Sequence, residues 1–144
     1  MADDPEGPML QRISDSFFRQ GFMRHLGARL GRIGEGEVRI HLPKSAAVTQ
    51  QHGYFHAGAT SAIADSAGGY AALTMFGEAD EVLTVEYKIN LVAPAVGDEL
   101  EAVGTCIKSG KTLSICRLDV YSVTSQQRKL VAAGQQTLIR VSGS

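Results

Sequence analysis

Only two cysteines occur in the chain, Cys106 and Cys116, and neither has a CxxC or Cys/His neighbour. That excludes a disulfide framework and a structural zinc site. A single hairpin disulfide between the two is the one covalent option left, and a reducing, cytoplasmic setting fits. Charge of one sign is also lacking: 14 Lys and Arg stand against 15 Asp and Glu, a formal net charge of -1. No basic field therefore points to nucleic acid or anionic lipid as a partner. No apolar run is long enough to span a bilayer, and the stretch from Met1 to Pro8 is acidic and polar rather than signal-like, so no membrane partner is expected. His25 and His41 lie away from His52 and His56, so metal-ligand spacing is not met and no metal or other cofactor is expected. A Gly-rich phosphate loop and a nucleophilic Ser or Cys elbow are missing too.

What is present is 144 residues with 44% hydrophobic and 20% charged content, enough for one ordinary globular core. Residues 1–8 are expected to be a flexible lead-in and 9–144 a single domain. From Met9 the apolar residues Met9, Ile13, Phe17, Phe22, Met23 and Leu26 recur at about the helical period, with Gly21 and Gly27 punctuating it and Gly27 placed to cap the end. This helix is expected outside a sheet, although Phe17, Phe18 and Phe22 also suit an apolar tunnel. Ala28 to Ile33 and Glu37 to Leu42 read as a hairpin around Gly34-Glu35-Gly36, closed by Pro43. Lys44 to Thr49 is a connector with room for one helical turn.

The segment from Ala57 to Gly77 is mostly Ala and Gly, and Asp65 is its only charge. A helix that is small and apolar on every side is one to be wrapped on every side. Leu83, Val85, Tyr87, Ile89 and Leu91 then alternate with Thr84, Glu86, Lys88 and Asn90, as in a long strand. Pro94 and Gly97-Asp98 mark a turn; Glu99 to Lys108, Thr112 to Val123 and Leu130 to Val141 are three more strands with short turns between them. Strands so closely spaced are expected to pair antiparallel. The fold class is α+β, an antiparallel sheet around a long central helix, and its open edges make a dimer the expected state.

An ionised carboxylate buried along such a helix needs a partner or a purpose. The helix starts at His56-Ala57-Gly58, where backbone N–H groups lack intrahelical acceptors and the dipole is positive, so a carbonyl placed there is polarised. Gly58 and its small neighbours let a ligand reach the backbone. Asp65 follows Ala57 by eight residues, about 12 Å of helix, so one protomer's Ala57 N–H and its own Asp65 cannot both touch one carbonyl group. Two copies running antiparallel across a two-fold axis bring them together. On helix composition alone, an Asp65 that merely bonds Ser or Thr across an interface is an equal reading. Gln50 offers an amide to a water or a carbonyl, or satisfies its own loop. His56 orients a ligand or fixes the loop. Tyr54, Phe55, Tyr70, Met75 and Phe76 suit an apolar or aromatic pocket as well as core packing. The turn Lys108-Ser109-Gly110-Lys111 presents positive charge to phosphates or simply to water.

Gln50 through Leu73, with the strand from Thr84 to Pro94, resembles the PaaI-like branch of the hotdog-fold acyl-CoA thioesterases. That branch carries His-Gly-Gly, an Asp eight residues after the first Gly, and a strand ending in Pro. The resemblance implies a hotdog fold, a helix wrapped by antiparallel sheet, assembled as a homodimer and often a homotetramer. It implies that Asp65 is the nucleophile or the general base toward water, and that the Ala57 N–H polarises the thioester carbonyl. Gln50 then helps position the water, His56 is the motif histidine, and Thr84 hydrogen-bonds water or carboxylate. His-Ala-Gly in place of His-Gly-Gly keeps the N–H and adds a methyl that narrows the approach. The implied partner is an acyl-CoA with a small, medium-chain or aryl acyl group, hydrolysed to acid and CoA. Two other readings remain: an acyl-thioester hydratase or dehydratase using His56 and Asp65, and a non-catalytic acyl-CoA binding module.

Overall fold

The computed structural model describes residues 7–142. Helices α1 (Pro8–Arg19) and α2 (Gly21–Leu26) come first, then strands β1 (Arg29–Gly34) and β2 (Glu37–Pro43). A 3-10 turn at Ala46–Val48 and the long helix α3 (Ala57–Leu73) follow. Strands β3 (Asp80–Leu91), β4 (Glu99–Ser109), β5 (Leu113–Val123) and β6 (Arg128–Ser142) complete the order. The six strands form one antiparallel sheet in the order β1-β2-β4-β5-β6-β3, with α3 laid against it: the hotdog arrangement.

Residues 1–6 of the expected lead-in lie outside the described residues, and Pro8 already begins α1, where its missing N–H and fixed φ suit a helix start. The helical pattern after Met9 is not one helix. Gln20 is extended (φ -77°, ψ 104°) and separates α1 from α2. Gly27 ends α2 in the left-handed region (φ 82°), its N–H donating to the Met23 and Arg24 carbonyls. Ile13, Phe17, Met23 and Leu26 are buried, whereas Phe18 and Phe22 are 64% and 56% exposed. Helix α1 packs beside the C-terminal half of α3: Gln20 Nε2 donates to the Tyr70 hydroxyl at 2.7 Å, and Ser16 Oγ lies 3.0 Å from it.

Strand β3 departs from the expected order. It pairs with β6, from Asp80 opposite Ser142 to Leu91 opposite Ala132, and not with β4. Both sides of β4 are taken by β2 and β5, and both sides of β5 by β4 and β6, so only the outer edges of β1 and β6 are open, and β3 takes that of β6. Residues 92–98 are accordingly a crossover and not a hairpin turn. At the start of β3 the apolar side chains of the alternation are not the covered ones. A register shift lies between Thr84 and Glu86; Val82 and Thr84 are half-buried, while Leu83, Val85 and Tyr87 are 59%, 57% and 46% exposed. Alternation shows that two faces differ but not which one is covered.

Small residues on α3 allow backbone to lie on backbone. A Cβ at Gly104 of β4 would overlap the Ala67 carbonyl and the Gly68 nitrogen, and one at Gly68 would overlap Gln136 and Leu118. Ala59, Ile63, Ala64, Ala67 and Leu73 share a core with Val38, Ile40, Leu42, Leu100, Leu118 and Val120. Each fully buried Val, Ile or Leu there contributes about 1.5–3 kcal/mol. The helix is not wrapped on every side by its own chain, however. Ser61, Ala62, Asp65, Ser66 and Gly69 form a stripe that stays half-buried.

Elsewhere on the sheet Glu101 accepts hydrogen bonds from Arg128 Nε (2.8 Å) and Arg39 Nη1 (3.4 Å), with His41 Nε2 at 3.8 Å. Burial alone raises the Glu101 carboxyl. The Arg128 hydrogen bond and charge, with Arg39 and His41, outweigh burial and hold it below the usual glutamate value.

Candidate active site

Helix α3 is capped by His56, whose Nδ1 accepts the Gly58 N–H at 2.8 Å. The His56 carbonyl takes the N–H groups of Ala59 and Thr60 at 3.0 and 3.1 Å. Among the described residues no group accepts from the Ala57 N–H, which is left at the positive end of a 17-residue helix. Ala57 lines a groove of about 610 Å³, with Gln50, Tyr54, Phe55 and His56 on one side and the chain from Leu91 to Ala95 on the other. Phe55 is 4% exposed and bridges Thr49 through its backbone, so it is a wall shared with the core, while Tyr54 stands 40% exposed at the rim.

Gln50 largely folds its own loop. Its Oε1 accepts the His52 and Tyr54 N–H groups at 2.6 and 3.2 Å, and its own N–H donates to the Tyr54 carbonyl at 2.8 Å. Only Nε2 of the amide has no partner among the described residues. His56 is engaged likewise by its capping bond, and Gly58 has already given its N–H to it. The His56–Asp65 acid–base pair of the hydratase reading does not form within one protomer, because nine residues, about 13.5 Å of helix, separate the two.

Asp65 lines a second groove, of about 380 Å³, bounded by Ser16, Gln20, Tyr70, Leu83, Thr84 and Leu138. It is half-buried rather than enclosed. Thr84 Oγ1 donates to Asp65 Oδ1 at 2.7 Å. Gln136 of β6 was not singled out from the sequence and is central here. Its Nε2 donates to the same Oδ1 at 2.5 Å, to the Asp65 carbonyl at 3.0 Å and to Thr84 Oγ1 at 3.2 Å. Gln136 is 1% exposed, and its Oε1 is buried without a partner among the described residues. Such an orphan acceptor costs about 1–3 kcal/mol. The available signal was alternation: Ala132, Gly134 and Leu138 share its parity on β6, so a glutamine at 136 is a polar side chain at an inward position.

The candidate residues thus fall into two sets. Gln50, Tyr54, Phe55, His56 and Ala57 line the groove at the helix start; Asp65, Thr84 and Tyr70 line the other. Met75, Phe76 and the turn Ser109-Gly110-Lys111 line neither. Gly110 only closes the β4–β5 hairpin, its N–H donating to the Leu113 carbonyl at 2.8 Å. Cys106 and Cys116 face each other across β4 and β5 as free thiols; burial pushes Cys106 up, and Cys116 up to about 12. Among the described residues no three His, Cys, Asp or Glu side chains are grouped to hold a metal, and no helix is long and apolar enough to cross a membrane.

The candidate site thus sits on a six-stranded sheet and its helix: an N–H without an acceptor among the described residues at the start of α3, and a hydrogen-bonded carboxylate about two turns along it. The thioesterase superfamily model matches residues 52–129, more than half of the chain, and the chain belongs to that superfamily of thioester hydrolases. A crystal structure of a thioesterase family protein from Silicibacter pomeroyi is 38% identical, with a TM-score of 0.91 over 94% of this chain and 100% of that one. A Haemophilus influenzae thioesterase (20% identity, TM-score 0.84, 99% and 96% of the two chains) shares the fold. So does the Escherichia coli PaaI protein from the phenylacetic acid degradation operon (22%, TM-score 0.82, 94% and 95%). The hotdog fold and the thioesterase superfamily read from the sequence therefore hold.

Proposed function

We propose that the chain is a cytoplasmic acyl-CoA thioesterase for a small, medium-chain or aryl acyl group, with each active site completed by two protomers. The observation that carries this reading is the separation of Ala57 and Asp65 into two grooves on one helix, about 12 Å apart. Neither groove alone holds both an oxyanion donor and a carboxylate. Two α3 helices running antiparallel would set the Ala57 N–H of one protomer beside Asp65 of the other. The half-buried stripe on α3 and the exposed Leu83, Val85 and Tyr87 on edge strand β3 supply an apolar surface for that contact. Homodimers paired further into a homotetramer are the assembly the resemblance implies.

In this reading the thioester carbonyl accepts from the Ala57 N–H and the Gln50 amide holds the water. Asp65, anchored by Thr84, either takes a proton from the water that attacks the carbonyl carbon, or attacks that carbon itself to give an anhydride that the water then cleaves. In both routes the C–S bond breaks, the water oxygen ends in the acid, and a water proton ends on the CoA thiol. Thiol release from acetyl-, hexanoyl-, palmitoyl- and benzoyl-CoA, with wild type beside Asp65→Asn, tests the reading. Turnover removed by Asp65→Asn supports it; turnover that survives, or none on any acyl-CoA, overturns it.

A further inference from the structure

We propose that Gln136 is a positioning residue that selects Oδ2 as the reacting oxygen of Asp65. This deepens the thioesterase reading and rests on it.

The amide lies between β6 and α3, where packing alone would favour Leu or Met, because its Oε1 is buried without a partner among the described residues. Its nitrogen explains its presence. Three acceptors share the two hydrogens of Nε2: Asp65 Oδ1 (2.5 Å), the Asp65 carbonyl (3.0 Å) and Thr84 Oγ1 (3.2 Å). Turning the amide over would set its oxygen against the Asp65 carboxylate and carbonyl, which can only accept, so its orientation is fixed by chemistry. Because Thr84 Oγ1 accepts from Gln136, the single Thr84 hydroxyl proton is directed to Asp65 Oδ1, 2.7 Å away. Both donors therefore end on one carboxylate oxygen. Oδ2 has no partner among the described residues and is the oxygen left to meet a water or a thioester carbon. Gly68, one turn beyond Asp65 on α3, makes the room: a Cβ there would overlap Gln136 Oε1.

The full chain is assayed with whichever of acetyl-, hexanoyl-, palmitoyl- and benzoyl-CoA it hydrolyses fastest. Gln136→Met keeps the volume and removes both the donor and the orphan acceptor. The expected result is kcat lower by ~10- to 100-fold with KM within about twofold of wild type, and a Tm unchanged or higher. Gln136→Glu puts a like charge beside Asp65, which favours its protonated form, so the acid limb of the kcat/KM profile moves to higher pH. A kcat for Gln136→Met within about twofold of wild type, whatever its Tm, would overturn the proposal, as would an unshifted profile for Gln136→Glu. If Gln136→Met does not fold, the profile decides. Asp65→Asn in the same assay separates the two ideas. Turnover lost in Asp65→Asn but normal in Gln136→Met overturns this inference alone; turnover retained in Asp65→Asn, or absent in wild type, overturns both.

Discussion

Thr84 Oγ1 donates to Asp65 Oδ1 at 2.7 Å and so ties the outermost strand beside β6 to the middle of the central helix. The bond crosses from an edge of the sheet to α3, and it is the contact through which a neighbouring protomer on β3 would reach the carboxylate. Thr84→Val keeps the shape and removes the donor. We expect kcat to fall about tenfold, the loss of roughly 1.4 kcal/mol of transition-state stabilisation. Thr84→Ser should retain most of it. Steady-state kinetics of the pair checks this; equal activity of both variants would show that the hydroxyl does not matter.

The Ala57 N–H can be deleted without unfolding the helix. Proline is well accommodated at the first helical position, and His56 already has the extended backbone (φ -67°, ψ 140°) that a residue before proline prefers. Ala57→Pro is expected to lower kcat by about 100- to 1,000-fold, as losing an oxyanion donor does. Co-expression of Ala57→Pro with Asp65→Asn then reads the architecture. Each mixed dimer would hold one intact shared site, so activity should return to about a quarter of wild type under random pairing. No recovery would place Ala57 and Asp65 in the same protomer's site.

Packing of α3 on β4 rests on a glycine. Gly104→Ala pushes a methyl into the Ala67 carbonyl and Gly68 nitrogen, which are backbone and cannot rotate away. The helix must lift, at a cost of about 1–3 kcal/mol, and the Asp65–Thr84 bond lengthens with it. Thermal unfolding should show the loss, and activity should fall with it. A Tm equal to that of wild type would mean that the sheet yields instead.

Acid stability should depend on Glu101. Its folded-state value lies below its unfolded one, since Arg128, Arg39 and His41 outweigh burial. Its contribution is therefore complete above the unfolded value and is lost as pH falls through the folded one. Glu101→Gln is expected to cost about 1–2 kcal/mol near pH 7, at the low end because Arg128 and Arg39 keep 43% and 30% of their side chains in water. It should also flatten the decline of Tm with pH below about 4.5. A decline as steep as in wild type would assign acid sensitivity to other groups.

The sequence by itself determined what short-range geometry controls. Helix α3 starts at Ala57 because a loop of His, Gly and aromatics gives way to Ala and Gly, and a rise of about 1.5 Å per residue then separates Ala57 from Asp65 whatever surrounds them. The strands were legible as period-two runs ended by Pro43, Gly97 and Ser109-Gly110. Helix boundaries were less so: Gln20, where the chain goes extended, is announced only by the Gly21 that follows it. Only the tertiary structure decided where β3 lies, because strand pairing goes to whichever edge is vacant and turn lengths do not state it. It also decided that Gln136 meets Asp65 across 71 positions of sequence, and that the Gln50 carbonyl is held by its own loop while its NH2 is not. Hydrogen-bond partners of a polar side chain are set by distance in space. Periodicity can flag a glutamine on an inward face, but only the packed sheet and helix show which acceptors wait there for its nitrogen.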